Sequence, residues 1–331
     1  MSPSPSPSST SPPSSGATGS NSTSAAGASS RPSADGSPFA GLWPAVITPM
    51  TPDGRVAYAT LERMVDLFAT QGLDGLYLTG STGQWPLLSG EERRTILECA
   101  AGAAAGRLPI MAHIGATTTA ETVALAEHAA NAGAAAVSAV APSYYGYSPD
   151  VVFAYYSELG RATPLPLFAY HLSTVNSVRL PPAEFVARLL DVPNIAGMKI
   201  TDVDLYLFGL VRAHGGDRLR LFSGADEVLC HAVLSGAIGA IGTFYNLWGV
   251  ECQRARRAMV AGDVAGSTEF TRRFQSAISR CMRTGSVWSF SRQAMQRKHG
   301  IDIGMPRPPL GSQDRPWSDE EVESILRLME E

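Results

Sequence analysis

Eight short apolar runs, each followed by a longer stretch of helical periodicity, dominate the chain from residue 39 onward. The apolar runs predict strands at residues 43–48, 75–79, 109–114, 136–141, 166–170, 195–199, 219–223 and 238–243. The periodic stretches predict helices at residues 57–71, 89–105, 119–132, 149–161, 181–190, 204–214, 226–235 and 246–261. Because the runs are continuously apolar, they are typical of a parallel sheet covered on both faces. Eight strand–helix units in about 225 residues predict a closed (β/α)8 TIM barrel, an α/β fold.

The alternative to a barrel is an open, doubly wound parallel sheet. Sheets of that kind that bind dinucleotides carry a G-x-G-x-x-G sequence in the first strand-to-helix turn. The corresponding turn here lacks it, which weakens the dinucleotide-binding version of the alternative. After the barrel, residues 264–283, 287–299 and 318–330 predict about three further helices. We therefore assign residues 39–263 to the barrel and residues 264–331 to a C-terminal helical extension.

The first 38 residues differ in composition from the rest of the chain. They contain 15 serines and 7 prolines, but no aromatic residue, leucine, isoleucine or valine. Such a segment cannot bury enough apolar area to offset the entropy lost on ordering, so residues 1–38 are predicted to be a disordered Ser/Pro-rich leader. The segment has no basic start, no apolar stretch of roughly 7–15 residues and no twin arginine, and it therefore does not resemble an export signal.

Charge and composition exclude several classes of protein. A net charge of −4 with no basic cluster argues against a nucleic-acid partner. No apolar run approaches the roughly 18 residues of a membrane span. The four cysteines form no C-x-x-C pair and the six histidines no metal-ligand spacing, so neither a disulfide framework nor a metal site is indicated. We expect a reduced, cytoplasmic protein without a metal.

Lysine is nearly missing from the chain. Of 26 basic residues only Lys199 and Lys298 are lysines, and the other 24 are arginines. Lys298 lies near a predicted helix end and is interpreted as a surface cation. Lys199 ends the apolar strand 195–199, where an arginine would pair with a carboxylate equally well. Only lysine, however, can lose its proton and attack a carbonyl carbon. The position favours a Schiff-base nucleophile over the alternative of a buried structural lysine.

In a barrel of this type the chemistry takes place at the carboxyl ends of the strands. Besides Lys199, the residues predicted there are Ser81, Thr82, Tyr144, Tyr145, Tyr170, Thr201, Gly224, Asp226, Glu227 and Thr243. Each alone has an ordinary structural interpretation, because turns contain hydroxyls, tyrosines pack in cores and acids are common at helix starts. Their convergence with Lys199 on one mouth predicts an active site, in which the hydroxyl loop 80–83 suits a carboxylate or phosphate.

From about Gly41 to Leu310 the chain resembles the family of pyruvate-dependent class I aldolases typified by N-acetylneuraminate lyase and dihydrodipicolinate synthase. The resemblance rests on the order and spacing of seven short matches. These are Gly80-Ser81-Thr82-Gly83, Pro142-Ser143-Tyr144-Tyr145, Tyr170, Gly197-Met198-Lys199-Ile200-Thr201, Gly224-Ala225-Asp226-Glu227, Gly242-Thr243-Phe244-Tyr245-Asn246 and Arg307-Pro308-Pro309-Leu310. Each match is weak alone, but together they span nearly the whole predicted folded region.

The resemblance implies roles for several of these residues. Lys199 stands at the position of the lysine that forms an iminium with the 2-oxo carbon of the substrate. Ser81 and Thr82 match the hydroxyls that grip the carboxylate of the 2-oxo acid, and Tyr170 matches the tyrosine that moves protons. No metal or organic cofactor is implied, because the protonated imine is itself the electron sink.

The resemblance also bears on assembly. Members of the family are usually homotetramers, and Tyr144 or Tyr145 occupies the place of a tyrosine contributed near a subunit contact. The implied partners are therefore further copies of the chain and a small-molecule 2-oxo acid. Neither a nucleic acid nor a membrane is expected.

The residues around the mouth distinguish two branches of the family. In the dihydrodipicolinate synthase pattern, an arginine that binds a second carboxylate follows the catalytic tyrosine by five residues, but that position is Val175 here. The neuraminate lyase pattern has an Asp-Glu pair after the seventh strand and a hydroxyl after the eighth, which bind a polyhydroxylated chain. Asp226, Glu227 and Thr243 fit that pattern, as does Thr201. The chain is more similar to the lyase branch.

Two departures from the family pattern lie at the predicted pocket. The usual glutamate after Gly83 is Gln84, and it is followed by Trp85-Pro86. The usual Asn and Pro after the catalytic tyrosine are replaced within residues 171–173. The natural aldehyde therefore need not be N-acetylmannosamine.

The resulting hypothesis is a reversible aldol cleavage of a 4-hydroxy-2-oxo sugar acid to pyruvate and an aldehyde. One alternative uses the same imine for dehydration of a sugar acid, or for condensation of pyruvate with another aldehyde. A second, of a different class, is a non-catalytic protein that binds 2-oxo acids.

Overall fold

The computed structural model describes residues 39–330, apart from Asn176, Ser177 and Arg179. The predicted leader, residues 1–38, lies outside the described residues. The structure contains the strands β1 (Gly41–Pro44), β2 (Leu76–Leu78), β3 (Ile110–His113), β4 (Ala136–Val140), β5 (Leu167–Leu172), β6 (Ile195–Thr201), β7 (Arg220–Ser223) and β8 (Gly239–Gly242). Each overlaps a predicted strand, and all are largely buried, as expected of strands covered by helices.

The strands form one parallel sheet that closes on itself. Their order is β1-β8-β7-β6-β5-β4-β3-β2, and a parallel bridge between Ala45 and Tyr77 joins the two ends of this order. The backbone N–H of Val46 donates to the carbonyl of Tyr77 at the same place, with an N–O distance of 2.9 Å. The prediction of a (β/α)8 barrel is confirmed, and the open sheet is excluded.

Eight helices alternate with the strands. They are α1 (Tyr58–Thr70), α2 (Gly90–Ala104), α3 (Thr119–Asn131), α4 (Pro149–Ala162), α5 (Pro182–Leu190), α6 (Leu205–Gly215), α7 (Leu229–Leu234) and α8 (Tyr245–Val260). At the start of α2, Ser89 and Glu92 form a capping box in which each side chain accepts from the backbone N–H of the other. No helix of the described residues is both long enough and apolar enough to cross a membrane.

Three further helices, α9 (Val264–Arg283), α10 (Val287–His299) and α11 (Asp319–Arg327), follow the barrel as predicted. They are attached to it through Trp248 of α8, whose ring lies 6.1 Å from Phe274 and 6.2 Å from Phe290 between centroids. Trp317, before α11, continues this aromatic cluster at 5.4 Å from Phe290. The extension therefore packs on the barrel through apolar contacts.

The interior of the barrel is filled by aromatic side chains at its amino-terminal end. Phe39, Trp43, Phe168 and Phe222, which we call the aromatic floor, lie 5.3–5.8 Å apart in the pairs Phe39–Phe168, Trp43–Phe222 and Phe168–Phe222. A methyl group on Gly239 of β8 would lie 2.6 Å from the Phe222 ring, so glycine there makes room for the floor. The open end of the barrel is the carboxyl-terminal one.

Candidate active site

Lys199 lies on β6, opposite Phe222 of the aromatic floor in the β6–β7 register, and is 4% exposed. Its Nζ atom is 4.2 Å from the ring centroid of Tyr170 and 4.4 Å from that of Tyr77, so two aromatic faces surround the amine. No ion pair joins Lys199 to a carboxylate of the described residues. Lys298, interpreted above as a surface cation, is instead a half-buried partner of Glu251, with Nζ 2.5 Å from Oε1.

Tyr170 lies beside Lys199 because β5 and β6 pair in a register that places the two residues opposite each other. Its hydroxyl accepts a hydrogen bond from Thr201 Oγ1 at 3.4 Å and lies 3.5 Å from Ser81 Oγ. Burial opposes ionisation of the phenol, but the positive charge of Lys199 and the hydrogen bonds outweigh it and lower the pKa of Tyr170 below its ordinary value. The structure thus brings together four of the predicted site residues.

Thr82 and Thr243 meet across the mouth of the barrel. Their hydroxyl oxygens are 2.7 Å apart, which joins the loop after β2 to the loop after β8. Ser81, the neighbour of Thr82, is exposed to the mouth. The hydroxyls of Ser81, Thr82 and Thr243 therefore belong to the same region as the phenol of Tyr170.

Gln84 explains one departure from the family pattern. Its side chain is 2% exposed, donates from Nε2 to the carbonyl of Thr48 and accepts at Oε1 from the backbone N–H of Arg307. An amide, which both donates and accepts, suits these two partners. Gln84 joins the hydroxyl loop to the chain after α10 and does not add a charge to the pocket.

Gly224 follows β7 and lies against two of the predicted site residues. A methyl group built on its backbone would lie 2.0 Å from Thr201 Oγ1 and 2.9 Å from Lys199 Cε. The lack of a side chain at residue 224 therefore leaves space for the amine and the hydroxyl.

We expect Gly224→Ala to slow the reaction of the amine with pyruvate by roughly 10- to 100-fold, because a small displacement of reacting groups has effects of that size. The added methyl group can be accommodated only if Lys199 or Thr201 moves. The rate at which pyruvate and borohydride modify the protein measures this effect. Gly209→Ala on α6 is the matched control, since a methyl group there has no neighbour within 4 Å. Equal rates in the two variants would contradict the prediction.

Asp226 and Glu227 occupy different environments. Asp226 is 7% exposed, and its Oδ2 accepts from the backbone N–H of Phe244 at 3.0 Å, while its Oδ1 has no hydrogen-bond partner. Glu227 is half-buried, and its carbonyl accepts from Gln275 of α9. Residues 226–228 form a separate single turn, so α7 begins at Leu229 and not at residue 226 as predicted. The carboxyl group of Asp226 thus joins the loops after β7 and β8.

Burial raises the pKa of Asp226 to about 7 from an ordinary value of 3.8. The folded protein therefore binds a proton at Asp226 below about pH 7, whereas the unfolded chain does so only below about pH 4. It follows that this group makes the protein less stable as the pH rises from 4 to 7. We expect Asp226→Asn to become more stable relative to the unmodified protein by about 2–3 kcal/mol between pH 5 and pH 8.

Urea titrations at the two pH values give the free energies of unfolding that test this prediction. Asp217→Asn serves as the control, because that side chain is 99% exposed. Parallel stability curves for the unmodified protein and Asp226→Asn would show that the carboxyl group does not titrate in this range.

Tyr144 and Tyr145 do not join this group of side chains. They lie in the loop after β4, are 94% and 68% exposed, and contact each other with ring centroids 5.1 Å apart. Tyr144 adopts a left-handed backbone conformation, with φ of 79°. Within the described part of the chain, neither ring contacts Lys199.

Two residues near the amine were missed by the sequence analysis. Tyr77 lies inside β2 and was interpreted only as part of a buried strand. His113 ends β3 and was set aside because the histidines show no metal-ligand spacing. Its position at the carboxyl end of a strand, the same as that of Lys199, is the signal that could have identified it. Among the described residues, no three His, Cys, Asp or Glu side chains are grouped so as to bind a metal ion.

Known proteins resemble this chain over most of its length. Residues 38–328 match the model of the Dihydrodipicolinate synthetase family. N-acetylneuraminate lyase of Escherichia coli (strain K12 / DH10B) is 31% identical over 292 residues, which cover 88% of this chain and 97% of the relative. The solved N-acetylneuraminate lyase structures of Mycoplasma synoviae (crystal form II) and Proteus mirabilis are 29% and 28% identical, with TM-scores of 0.77 and 0.79. They cover 88% of this chain, and it covers 97% and 98% of theirs.

The match extends over almost all of the described residues and includes both the barrel and the helices after it. It confirms the resemblance stated from the short sequence matches, and it excludes the alternative of a non-catalytic binding protein. The chain belongs to the dihydrodipicolinate synthetase family and is a pyruvate-dependent enzyme of the class I aldolase type.

Proposed function

We propose that the protein catalyses the reversible aldol cleavage of a 4-hydroxy-2-oxo sugar acid, N-acetylneuraminate or a close analogue, to pyruvate and an aldehyde. The observation that carries the proposal is the buried amine of Lys199 beside the Tyr170 phenol, which itself lies within 3.5 Å of Ser81 and Thr201 hydroxyls. A nucleophile, a proton carrier and hydroxyl donors are the parts that this reaction requires.

In the binding step, the loop of Ser81 and Thr82 holds the carboxylate of the 2-oxo acid. Hydroxyl and backbone N–H donors on a tight loop suit an anion. Lys199 then attacks C2, and the carbonyl oxygen leaves as water to give an iminium. Because Tyr77 and Tyr170 present their ring faces to Nζ, they stabilise the positive charge of the iminium.

In the cleavage step, the C3–C4 bond breaks and its electron pair moves into the iminium to form an enamine. Tyr170, whose pKa is lowered by the nearby charge of Lys199 despite its burial, takes the proton of the C4 hydroxyl as the aldehyde forms. The aldehyde leaves, C3 is protonated, and water releases pyruvate from Lys199. The water released when the imine formed is thereby consumed again, and Tyr170 returns the proton of the C4 hydroxyl to C3.

The distal part of the substrate lies along the loops after β6, β7 and β8. Thr201, Glu227 and Thr243 supply polar side chains there, and Gly224 leaves room for the sugar chain. Asp226 accepts from the backbone N–H of Phe244 with one oxygen and thereby holds in place the loop after β8, which carries Thr243. Val175 contributes no charge for a second carboxylate, which favours a sugar acid over a dicarboxylic product.

The proposal is tested with a panel of 4-hydroxy-2-oxo acids that includes N-acetylneuraminate, read out by pyruvate release. We expect cleavage of a sugar acid. A dehydrated product formed without pyruvate would identify the dehydratase alternative.

The Schiff-base mechanism is tested in parallel. Borohydride is added with pyruvate, and the protein is digested with trypsin. An adduct blocks cleavage after Lys199, so residues 189–212 remain one heavier peptide in place of 189–199 and 200–212. Failure to form this adduct would overturn the Schiff-base mechanism.

We further propose a cytoplasmic homotetramer in which Tyr144 and Tyr145 lie at a contact between subunits. Two tyrosines with most of their surface exposed on one loop are typical of residues that become buried on assembly. Light scattering of the unmodified protein and of a variant with both tyrosines changed to serine tests this. We expect a mass of four chains for the former and a smaller mass for the latter. A monomer in both cases would contradict the proposal.

A further inference from the structure

His113, at the end of β3, is a buried histidine without a role in the mechanism above. It is 2% exposed. Its Nε2 accepts a hydrogen bond from the backbone N–H of Val140 at 3.3 Å, and its Nδ1 lies 3.0 Å from the carbonyl oxygen of Thr79. Because a carbonyl can only accept, Nδ1 carries the proton and the ring is neutral. Both nitrogens are occupied, so the ring cannot act as a general acid or base.

The electrostatic surroundings agree with a neutral ring. Burial, together with the positive charges of Arg93 and Lys199, holds the pKa of His113 well below its ordinary range. The Arg93 guanidinium donates to the carbonyls of His113 and Gly115, so it approaches the backbone at this point. What His113 contributes is therefore its shape and its two hydrogen bonds, and not a titrating group.

One of these hydrogen bonds reaches the base of the hydroxyl loop. Thr79 immediately precedes residues 80–83, and its Oγ1 donates back to the carbonyl of His113 at 3.1 Å, so the two residues bind each other reciprocally. Thr79 has a φ of 50°, in the left-handed region that threonine rarely adopts. Such a conformation persists only where neighbouring contacts impose it. The hydrogen bonds with His113 are contacts of that kind, and they set the direction in which Ser81 and Thr82 leave the strand.

The ring of His113 also supports Tyr170. The two rings meet edge to face, with centroids 6.1 Å apart and an interplanar angle of 88°. Tyr77 and Trp85 pack on the same imidazole, at 6.3 Å and 5.6 Å between centroids. A side chain confined on these sides cannot turn, so it restricts the Tyr170 ring whose hydroxyl lies near Ser81 and Thr201.

We propose that His113 is a positioning residue that acts through two separate contacts: its Nδ1–H orients the carboxylate-binding loop through Thr79, and its ring edge holds the phenol of Tyr170. The proposal rests on the function proposed above for Lys199, Ser81, Thr82 and Tyr170. Its distinctive consequence is that substrate binding and proton transfer depend on different parts of one side chain, and can be impaired one at a time.

Two substitutions separate the contacts. His113→Phe keeps a ring against Tyr170 but loses both hydrogen bonds of the imidazole. His113→Asn keeps an N–H donor near the position of Nδ1 but loses the ring. The assay is the exchange of the methyl protons of pyruvate in deuterated water, followed by NMR at increasing pyruvate concentration. In this reaction the iminium on Lys199 loses a C3 proton to give the enamine, which is then deuterated.

For His113→Phe we expect the half-saturating pyruvate concentration to rise about tenfold with a nearly unchanged saturating rate, since loss of the hydrogen bond to Thr79, which orients the loop, has an effect of this size. For His113→Asn we expect the reverse: a saturating rate lowered about 10- to 100-fold and a nearly unchanged half-saturation. Each rate is divided by the fraction of chains that pyruvate and borohydride modify. A partly unfolded preparation then does not imitate either result. If His113→Phe does not fold, Thr79→Val, which removes the Oγ1–H donor toward the His113 carbonyl and leaves the His113 ring in place, replaces it with the same expectation.

His128→Phe and His128→Asn are the matched controls, because His128 lies on the outer helix α3 and pairs with Glu98. Both should retain the constants of the unmodified protein. If the two His113 variants retain those constants per trapped site, or change both constants together, the positioning role is wrong while the proposed function stands. If the unmodified protein forms no adduct with pyruvate, the proposed function fails, and the role of His113 fails with it.

Discussion

Lys199→Arg is expected to abolish both the borohydride-trapped adduct and the release of pyruvate, lowering turnover by at least about 10³-fold. Arginine retains the positive charge and stacks well on aromatic faces, so it can still occupy the space between the rings of Tyr77 and Tyr170. It cannot lose its proton to become a nucleophile. The substitution therefore removes the covalent step while keeping a positive charge beside Tyr170.

The chain offers a matched control for this experiment in its second lysine. Lys298→Arg makes the same change at a residue of α10 that pairs with Glu251 and is not among the candidate site residues. This variant should leave turnover unchanged. Mass spectrometry of the borohydride-treated protein and the steady-state rate of pyruvate release are measured for both variants. Turnover that persists in Lys199→Arg would exclude Lys199 as the nucleophile, whatever the state of Lys298.

Tyr170→Phe is expected to have the second largest effect, a decrease in kcat of about 10²- to 10⁴-fold, the usual contribution of general acid–base catalysis. The phenyl ring preserves the contact with the Lys199 amine and the edge-to-face contact with His113. What disappears is the hydroxyl near Ser81 and Thr201. Imine formation with pyruvate should therefore survive, whereas cleavage of the C3–C4 bond should not.

This combination is checked by comparing the two reactions in one preparation. The borohydride adduct should approach one pyruvate per chain while the rate of pyruvate release from the best substrate of the panel falls. Tyr58→Phe, at the start of α1, tests the loss of a tyrosine hydroxyl outside the mouth and should behave like the unmodified protein. A Tyr170→Phe protein with full turnover would assign proton transfer to another group.

The strands and the barrel could be predicted from sequence because they depend on local patterns. A continuous apolar run indicates a buried parallel strand wherever it occurs, and eight of them leave few architectures. The ends of strands and helices are harder to predict where tertiary contacts determine them. Strand β1 stops at Pro44 because the next residues turn to other partners: Val46 bonds to Tyr77, and the N–H of Ile47 bonds to the side chain of Asn246.

The sequence predicted part of the group around Lys199, but it also included Tyr144 and Tyr145, which lie apart from it, and it did not predict how the side chains are oriented. Lys199 and Tyr170 are neighbours because their strands pair, which follows from the fold. The hydrogen bond between Asp226 and the backbone of Phe244 depends on how the loops after β7 and β8 meet. No local sequence pattern predicts such a contact. His113 was overlooked for a similar reason, since its importance lies in the partners of its two nitrogens. The spacing of residues along a sequence can identify metal ligands. It does not identify a residue such as His113, whose proposed role is to position other side chains.

The aromatic floor fixes the side of the barrel at which the described chain begins, and therefore the side at which a tag or a solid surface can be attached there. Phe39, where the described chain begins, is 7% exposed and packs against Phe168 at the amino-terminal end of the barrel, opposite to the mouth. A tag, surface or fusion partner joined directly at Phe39 is therefore connected on the side away from Lys199. An enzyme immobilised at this point would present the mouth of the barrel to the surrounding solution.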